Sequence, residues 1–391
     1  MYSLALSCVV AFIASAGLTV GVRRLSVRCR AIDHPDGERK LHSKATPLWG
    51  GAGVFLAMVL GVFAANHGAF VPGSGPLALT VVVLLVAGAF CLLGAVDDCH
   101  ALKSRRKLLL QVVTLLALVS LGYHFHHIDV LGKSVALGWL GYPITIAWLL
   151  GCINAFNLLD GSDGLAATIG TVAGLLIVVV AMAAGHTDVA IMGGALAGAT
   201  GGFLIHNRPS AKIFLGDSGS MVIGLMVGIL SVEAAVTPKG DLVIVFPVVL
   251  MCLPLLDSLL ALVRRRLSGR PFDEPDREHI HHRLLQRGMS PWRVLIALSG
   301  MFLVTGIAAA ASVLSGYRAI GWTTAVTLVA WLARAQWFGH HEWGLTADVI
   351  RRWRHGTTHF LRTRFARPSS QNKSDQDREN RDKKTSRRKA A

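Results

Sequence analysis

Apolar runs of membrane-crossing length recur along this chain from end to end, and that recurrence constrains its fold more than any other feature. Leu77 to Val96, Gly164 to Ala184 and Leu242 to Val263 each approach or exceed the roughly 18 residues needed to cross a bilayer. About eleven runs can be drawn, at 2–22, 48–65, 77–96, 108–123, 143–156, 164–184, 187–206, 213–234, 242–263, 294–314 and 318–338, of which 143–156 is short. The expected fold is an all-α polytopic membrane protein with about eleven transmembrane helices. Composition agrees, since 52% hydrophobic and 16% charged residues with a mean hydropathy of +0.51 is too apolar for a soluble domain of this length.

A net charge of +16 could suggest a nucleic-acid partner, but the distribution of the charge argues against one. Lys and Arg concentrate in alternate loops, those after the first, third, seventh and ninth runs, leaving Lys133, Lys239 and Arg318 to the others. The positive-inside rule then makes the rich loops cytoplasmic, with the N-terminus outside and the C-terminus cytoplasmic. Two regions follow: a multispan membrane domain over 1–340 and a basic cytoplasmic tail over 341–391, largely disordered beyond about 367, which reads first as a solvated tail with no specific job and otherwise as one that touches anionic membrane lipids. The six cysteines fall in apolar runs or inner loops and imply no disulfide framework.

Charged and amide groups at membrane depth cost about 2.5–3.5 kcal/mol each on insertion scales, so their positions mark candidate sites. Here they gather at one face. Asp97 and Asp98 end the third run beside Lys103, Arg105, Arg106 and Lys107, where a carboxylate pair suits Mg²⁺ capture or general base work, or is simply a solvated helix end. Asn154, Asn157, Asp160 and Asp163 recur every third residue along one drifting helical ribbon, with Gly161 and Gly164 permitting a tight turn. Four polar groups between two apolar runs are hard to explain as packing.

Phe214, Gly216, Asp217, Ser218, Gly219 and Ser220 precede the eighth run and combine a carboxylate with glycines and hydroxyls, residue types suited to a metal ion and phosphates. The same letters surround a serine-protease nucleophile, but no β-barrel pattern accompanies them. His279, His281, His282 and Arg283 form a cationic cluster suited to phosphate oxygens, with transition-metal ligation or surface decoration as alternatives. The first inner loop carries Asp33, Asp36, Arg39, Lys40, His42 and Lys44, which signal topology or attract a nucleotide diphosphate. His124, His126 and His127 lie in an outer loop and read as decoration.

Together, from about Asp33 to Arg293, these motifs resemble the polyprenyl-phosphate N-acetylhexosamine-1-phosphate transferases. The His279-Ile-His281-His282-Arg283 segment is similar to the N-acetylglucosamine branch rather than the phospho-N-acetylmuramoyl-pentapeptide branch of peptidoglycan synthesis, which is the alternative. The resemblance implies transfer of N-acetylglucosamine 1-phosphate from UDP-N-acetylglucosamine to undecaprenyl or decaprenyl phosphate, releasing UMP, with Mg²⁺ or Mn²⁺. It implies a multi-pass protein of the inner (plasma) membrane with its site facing the cytoplasm and no nucleic-acid partner; a homodimer is compatible with it. Carried onto this sequence, Asp217 and Asn157 would hold the metal, and Asp97 or Asp98 would deprotonate or orient the lipid phosphate. Lys107, His279, His281, His282 and Arg283 would hold phosphate, and Lys44, Asp160, Asp163, Asn207 and Phe214 would bind the nucleotide sugar. A transporter for a phosphorylated solute is the non-enzyme alternative. It requires mid-span polar groups, for which Asp257 is the nearest candidate, although it stands two turns from Arg264, with which it could pair near the inner surface.

Overall fold

The computed structural model describes residues 1–34, 45–66, 76–130, 132–268 and 278–337. Lys44, the basic residues of the first inner loop and the tail over 341–391 lie outside the described residues. In chain order the helices are α1 (Tyr2–Arg28), α2 (Gly50–Ala65), α3 (Pro76–His100), α4 (Ser104–Ser120), α5 (Gly141–Leu159), α6 (Leu165–Ala184) and α7 (Thr187–Asn207). They continue as α8 (Asp217–Glu233), α9 (Val245–Leu250), α10 (Cys252–Leu267), α11 (Ile280–Gln286), α12 (Pro291–Ser315) and α13 (Ala319–Arg334).

Each apolar run is helical over most of its length, as expected where lipid offers no partner for backbone N–H and C=O groups. Six of the described helices, α1, α3, α5, α6, α7 and α12, are long and apolar enough to cross a membrane by length and composition. The short run at 143–156 belongs to one of these, the 19-residue α5. The run at 242–263 is broken. Pro254 has no N–H to give to the carbonyl of Leu250, and its ring would clash with that carbonyl in a continuous helix, so α9 stops at Leu250 and α10 restarts at Cys252.

The start of the same run leaves the helical pattern altogether. Asp241–Val243 forms a short strand parallel to His127–Val130, which pairs antiparallel with Lys133–Ala136 in a three-stranded sheet. A second, two-stranded pairing joins Ile32–Asp33 to Thr46–Pro47 across the first inner loop.

α8 is the axis of the bundle. Every residue from Ser218 to Val232 is buried, so the helix has no solvent or lipid stripe, and α2, α3, α5, α6, α7 and α9 all pack on it. The fully buried Phe90, Phe156 and Phe203 fill the layers between these helices. The polar groups named from the sequence consequently sit at the two kinds of helix end that meet around the start of α8: the C-terminal ends of α3, α5 and α7, and the N-terminal ends of α4 and α6.

Candidate active site

α3 meets the first turn of α8 at van der Waals limits. A Cβ on Gly94 would stand 2.3 Å from the backbone nitrogen of Ser218, so only glycine permits this approach. Three residues later α3 presents its two carboxylates, and the structure gives them different work. Asp98 Oδ1 accepts from the Asp217 N–H at 2.8 Å and its Oδ2 from the Ser218 N–H at 3.4 Å. Asp98 therefore caps α8 from a neighbouring helix, satisfying donors that no residue within α8 can reach. Gly216 makes room for it, with φ of 73° and a hypothetical Cβ only 2.6 Å from Asp98 Oδ2.

Asp97, 8% exposed, turns the other way. Its Oδ1 accepts from the Leu102 N–H at 2.7 Å, and its Oδ2 lies 2.8 Å from the Lys107 ammonium, which also contacts Asp217 Oδ2 directly. From α5, Asn157 donates to Asp217 Oδ1 at 2.5 Å and to the Ser220 hydroxyl at 3.1 Å. One turn earlier on α5, Asn154 donates to the buried Gln111 of α4 at 3.3 Å. Asp97, Lys107, Asn157 and Asp217 thus form one connected cluster contributed by four helices. Ser220, singled out in the sequence with Asp217, backs Asn157, and the unforeseen neighbour is Gln111, which accepts from Asn154. Gln111 stands four residues after Lys107 in an apolar run, and that one-turn spacing is the signal that could have found it.

The loop from Asp160 to Gly164 carries the ribbon onward. Burial of the Asp160 carboxyl, reinforced by the negative charges of Asp217 and Asp98, pushes it well above the ordinary carboxylate range. Asp163 Oδ2 accepts from the Ala211 N–H at 3.0 Å. Asn207 is engaged at both ends of its amide: Oδ1 accepts from Gly164 N–H at 3.1 Å and Nδ2 donates to the Ile213 carbonyl at 2.9 Å. It ties the Asp160–Gly164 loop to the segment before α8. Phe214 lies in that segment and is anchored through its backbone, its N–H donating to Pro47 and its carbonyl accepting from Gly50.

The histidine segment packs on this same loop. His281 is 1% exposed, its Nε2 would lie 2.7 Å from a Cβ on Gly161, and neither ring nitrogen has a hydrogen-bond partner. Burial, then the neighbouring His282, pull its pKa down to about 3, so the ring is neutral at physiological pH. His282 leans on His281 with ring centroids 4.2 Å apart, and Arg283 pairs with Glu278 at 3.1 Å. His279 is held by Asp257 of α10, its Nδ1 3.0 Å from Asp257 Oδ2. Asp257 thus faces the histidine segment rather than a mid-membrane path.

Against the family model for glycosyl transferase family 4, residues 79–235 match, a stretch running from α3 through α8. A Bacillus subtilis protein named probable undecaprenyl-phosphate N-acetylglucosaminyl 1-phosphate transferase is 36% identical over 290 residues, covering 72% of this chain and 78% of its own. The chain belongs to glycosyl transferase family 4. Its similarity to other members of the family is graded. The decaprenyl-phosphate N-acetylglucosaminephosphotransferase of Mycobacterium tuberculosis strain H37Rv is 36% identical over 312 residues, covering 74% of this chain and 76% of its own. The phospho-N-acetylmuramoyl-pentapeptide-transferase of Halalkalibacterium halodurans is 30% identical over 229 residues, covering 55% of this chain and 69% of its own.

Enzymes that work on diphosphates with Mg²⁺ hold the ion through one or two carboxylates and take the remaining ligands from water and substrate phosphate. The cluster fits that chemistry, because the Asp217 carboxylate already holds a cation, the Lys107 ammonium, with the Asn157 amide beside it. Among the described residues no group of three His, Cys, Asp or Glu side chains is placed to hold a metal ion.

Proposed function

We propose that this chain transfers N-acetylglucosamine 1-phosphate from UDP-N-acetylglucosamine to a polyprenyl phosphate, giving the polyprenyl-diphosphate sugar and UMP. The observation that carries the proposal is the Asp97, Lys107, Asn157 and Asp217 cluster, lying in a chain that shares 36% identity with the Bacillus subtilis relative. The N-acetylglucosamine branch is favoured over the muramoyl branch by that identity, against 30% over a shorter stretch for the Halalkalibacterium halodurans protein.

In this reading Asp97 is the base and Asp98 the positioning residue. Both oxygens of Asp98 are engaged by the α8 backbone, whereas one oxygen of Asp97 faces the side chains of the cluster, where Lys107 lies 2.8 Å away. Asp97 takes the proton from the lipid phosphate, and the freed oxygen attacks the phosphorus that bears the sugar. The bond from that phosphorus to the oxygen bridging towards UMP breaks, and the electron pair leaves on UMP. Lys107 and the histidine segment stabilise the charge that gathers there. Mg²⁺ or Mn²⁺, held by Asp217 and Asn157, would polarise the diphosphate. Asp160, Asp163, Asn207 and Phe214 shape the nucleotide pocket.

We further propose eleven membrane crossings, with the N-terminus outside and the site at the cytoplasmic face of the plasma membrane. The distribution of Lys and Arg between alternate loops supports this orientation. The deciding assay supplies membranes containing the full chain with radiolabelled UDP-N-acetylglucosamine, polyprenyl phosphate and Mg²⁺. Labelled lipid that disappears with EDTA is expected. Absence of labelled lipid would overturn the reaction, and label indifferent to EDTA would overturn the metal.

A further inference from the structure

Asp257 belongs to no motif used in the reaction above. It is 3% exposed on α10, in the half-helix that restarts after the break before Pro254. A carboxylate in an apolar run is costly unless bonded. Two bonds compensate it, and both reach into the histidine segment: Oδ2 lies 3.0 Å from His279 Nδ1, and Oδ1 accepts from the Ile280 N–H at 3.2 Å. His279 is itself only 3% exposed.

The chemistry of this pair is directional. An ionised carboxylate only accepts, so the hydrogen of the shared bond sits on His279 Nδ1, and Nε2 is the nitrogen left to meet a ligand. The second bond fixes the backbone at the first residue of α11. One side chain therefore sets both the orientation of the ring and the position of the helix start that carries it. His281, with its ring within 6° of parallel to that of His279 at 6.0 Å, has no partner on either nitrogen and offers no alternative anchor.

We propose that Asp257 is a positioning residue for sugar-phosphate transfer, holding the His279 ring through Nδ1–H so that a second hydrogen, on Nε2, donates to the donor phosphates. The proposal rests on the reading of the histidine segment as a phosphate holder. It makes the broken ninth run functional, since α10 is the element that carries the orienting carboxylate.

The test uses the full chain, labelled with ¹⁵N-histidine and held in lipid nanodiscs. His279→Gln identifies the His279 signals by their loss. The expected wild-type spectrum has hydrogen on Nδ1 of His279. In Asp257→Asn the amide donates to Nδ1, which then carries no hydrogen, and the ring loses the carboxylate that supports a hydrogen on both nitrogens. In parallel, Asp257→Asn should lower kcat/KM for UDP-N-acetylglucosamine by about 10- to 100-fold while leaving KM for polyprenyl phosphate unchanged. The same substitution should cost nothing further in the His279→Gln background. Wild-type His279 carrying its hydrogen on Nε2 alone would overturn the proposal, as would additive losses in the double variant. If Asp257→Asn fails to fold, the wild-type hydrogen placement still decides. If wild-type chain transfers no sugar phosphate, the functional reading fails, while the spectrum still reports on Asp257.

Discussion

The ammonium of Lys107 stands between two carboxylates, 2.8 Å from Asp97 Oδ2 and in direct contact with Asp217 Oδ2. One cation thereby neutralises two groups that would otherwise repel each other at a helix end. Lys107→Gln removes that charge and leaves the Asp217 carboxylate open to a divalent ion. The expected result is opposed changes: kcat falls by about 100-fold as charge stabilisation on the leaving phosphate is lost, while the Mg²⁺ concentration for half-maximal activity decreases. A titration of activity against Mg²⁺ reads both, and an increased Mg²⁺ requirement would contradict the shared-cation reading.

Asp97 and Asp98 should separate cleanly in kinetics. Asp97→Asn removes the proposed base and should reduce kcat by about 10²- to 10⁴-fold with little effect on thermal stability. Asp98→Asn keeps one acceptor for the Asp217 N–H and should lower the thermal midpoint, at a cost of about 1 kcal/mol, with a smaller kinetic loss. Reversal of these two patterns would exchange the roles.

His281 gives a pH signature. Its folded pKa of about 3 lies below that of an unfolded histidine, so the unfolded chain binds the proton more readily and stability falls as pH drops below about 6.5. By about pH 5 this one group costs about 2 kcal/mol. His281→Gln should flatten that acid limb in thermal melts of detergent-solubilised protein, and an unchanged slope would show that His281 is not the group responsible.

Asp160 acts in the opposite sense. Its carboxyl is raised well above the unfolded value, so the folded chain holds that proton more tightly, and the associated stability is present in acid and lost as pH rises. Asp160→Asn should therefore raise the melting temperature at neutral pH while lowering transfer activity. A variant both less stable and less active would make Asp160 a structural carboxylate rather than a strained one.

Orientation is open to a direct measurement. A reporter fused after Lys389 should signal the cytoplasm, and one placed after Lys133, between α4 and α5, should signal the opposite side.

Much of this was legible in the sequence because helices in lipid and motif chemistry are both local. The apolar runs marked the helices, and the three-residue rhythm from Asn154 to Asp163 marked the end of α5 and the loop beyond it. What escaped depends on pairings across long separations. The pairing of Asp98 with the α8 backbone spans more than a hundred residues, and nothing near Asp98 distinguishes it from Asp97. Asn207 read as a pocket residue, yet its amide is engaged in tying two backbone segments together, a use that residue type alone does not reveal. Pro254 was a visible breaker within 242–263, overridden by the length of the apolar run around it.

The cap that Asp98 places on α8 also bears on how a ligand could be designed for this site. The exposed amides at the start of a helix are ordinarily a ready cradle for phosphate. Here the Asp217 and Ser218 amides are already occupied by a carboxylate from another helix. An inhibitor that imitates the diphosphate only as a hydrogen-bond acceptor, without its charge, would find those amides closed to it. A mimic must instead bring enough negative charge to draw Lys107 away from its two carboxylates, or carry a cation of its own to take that lysine's place.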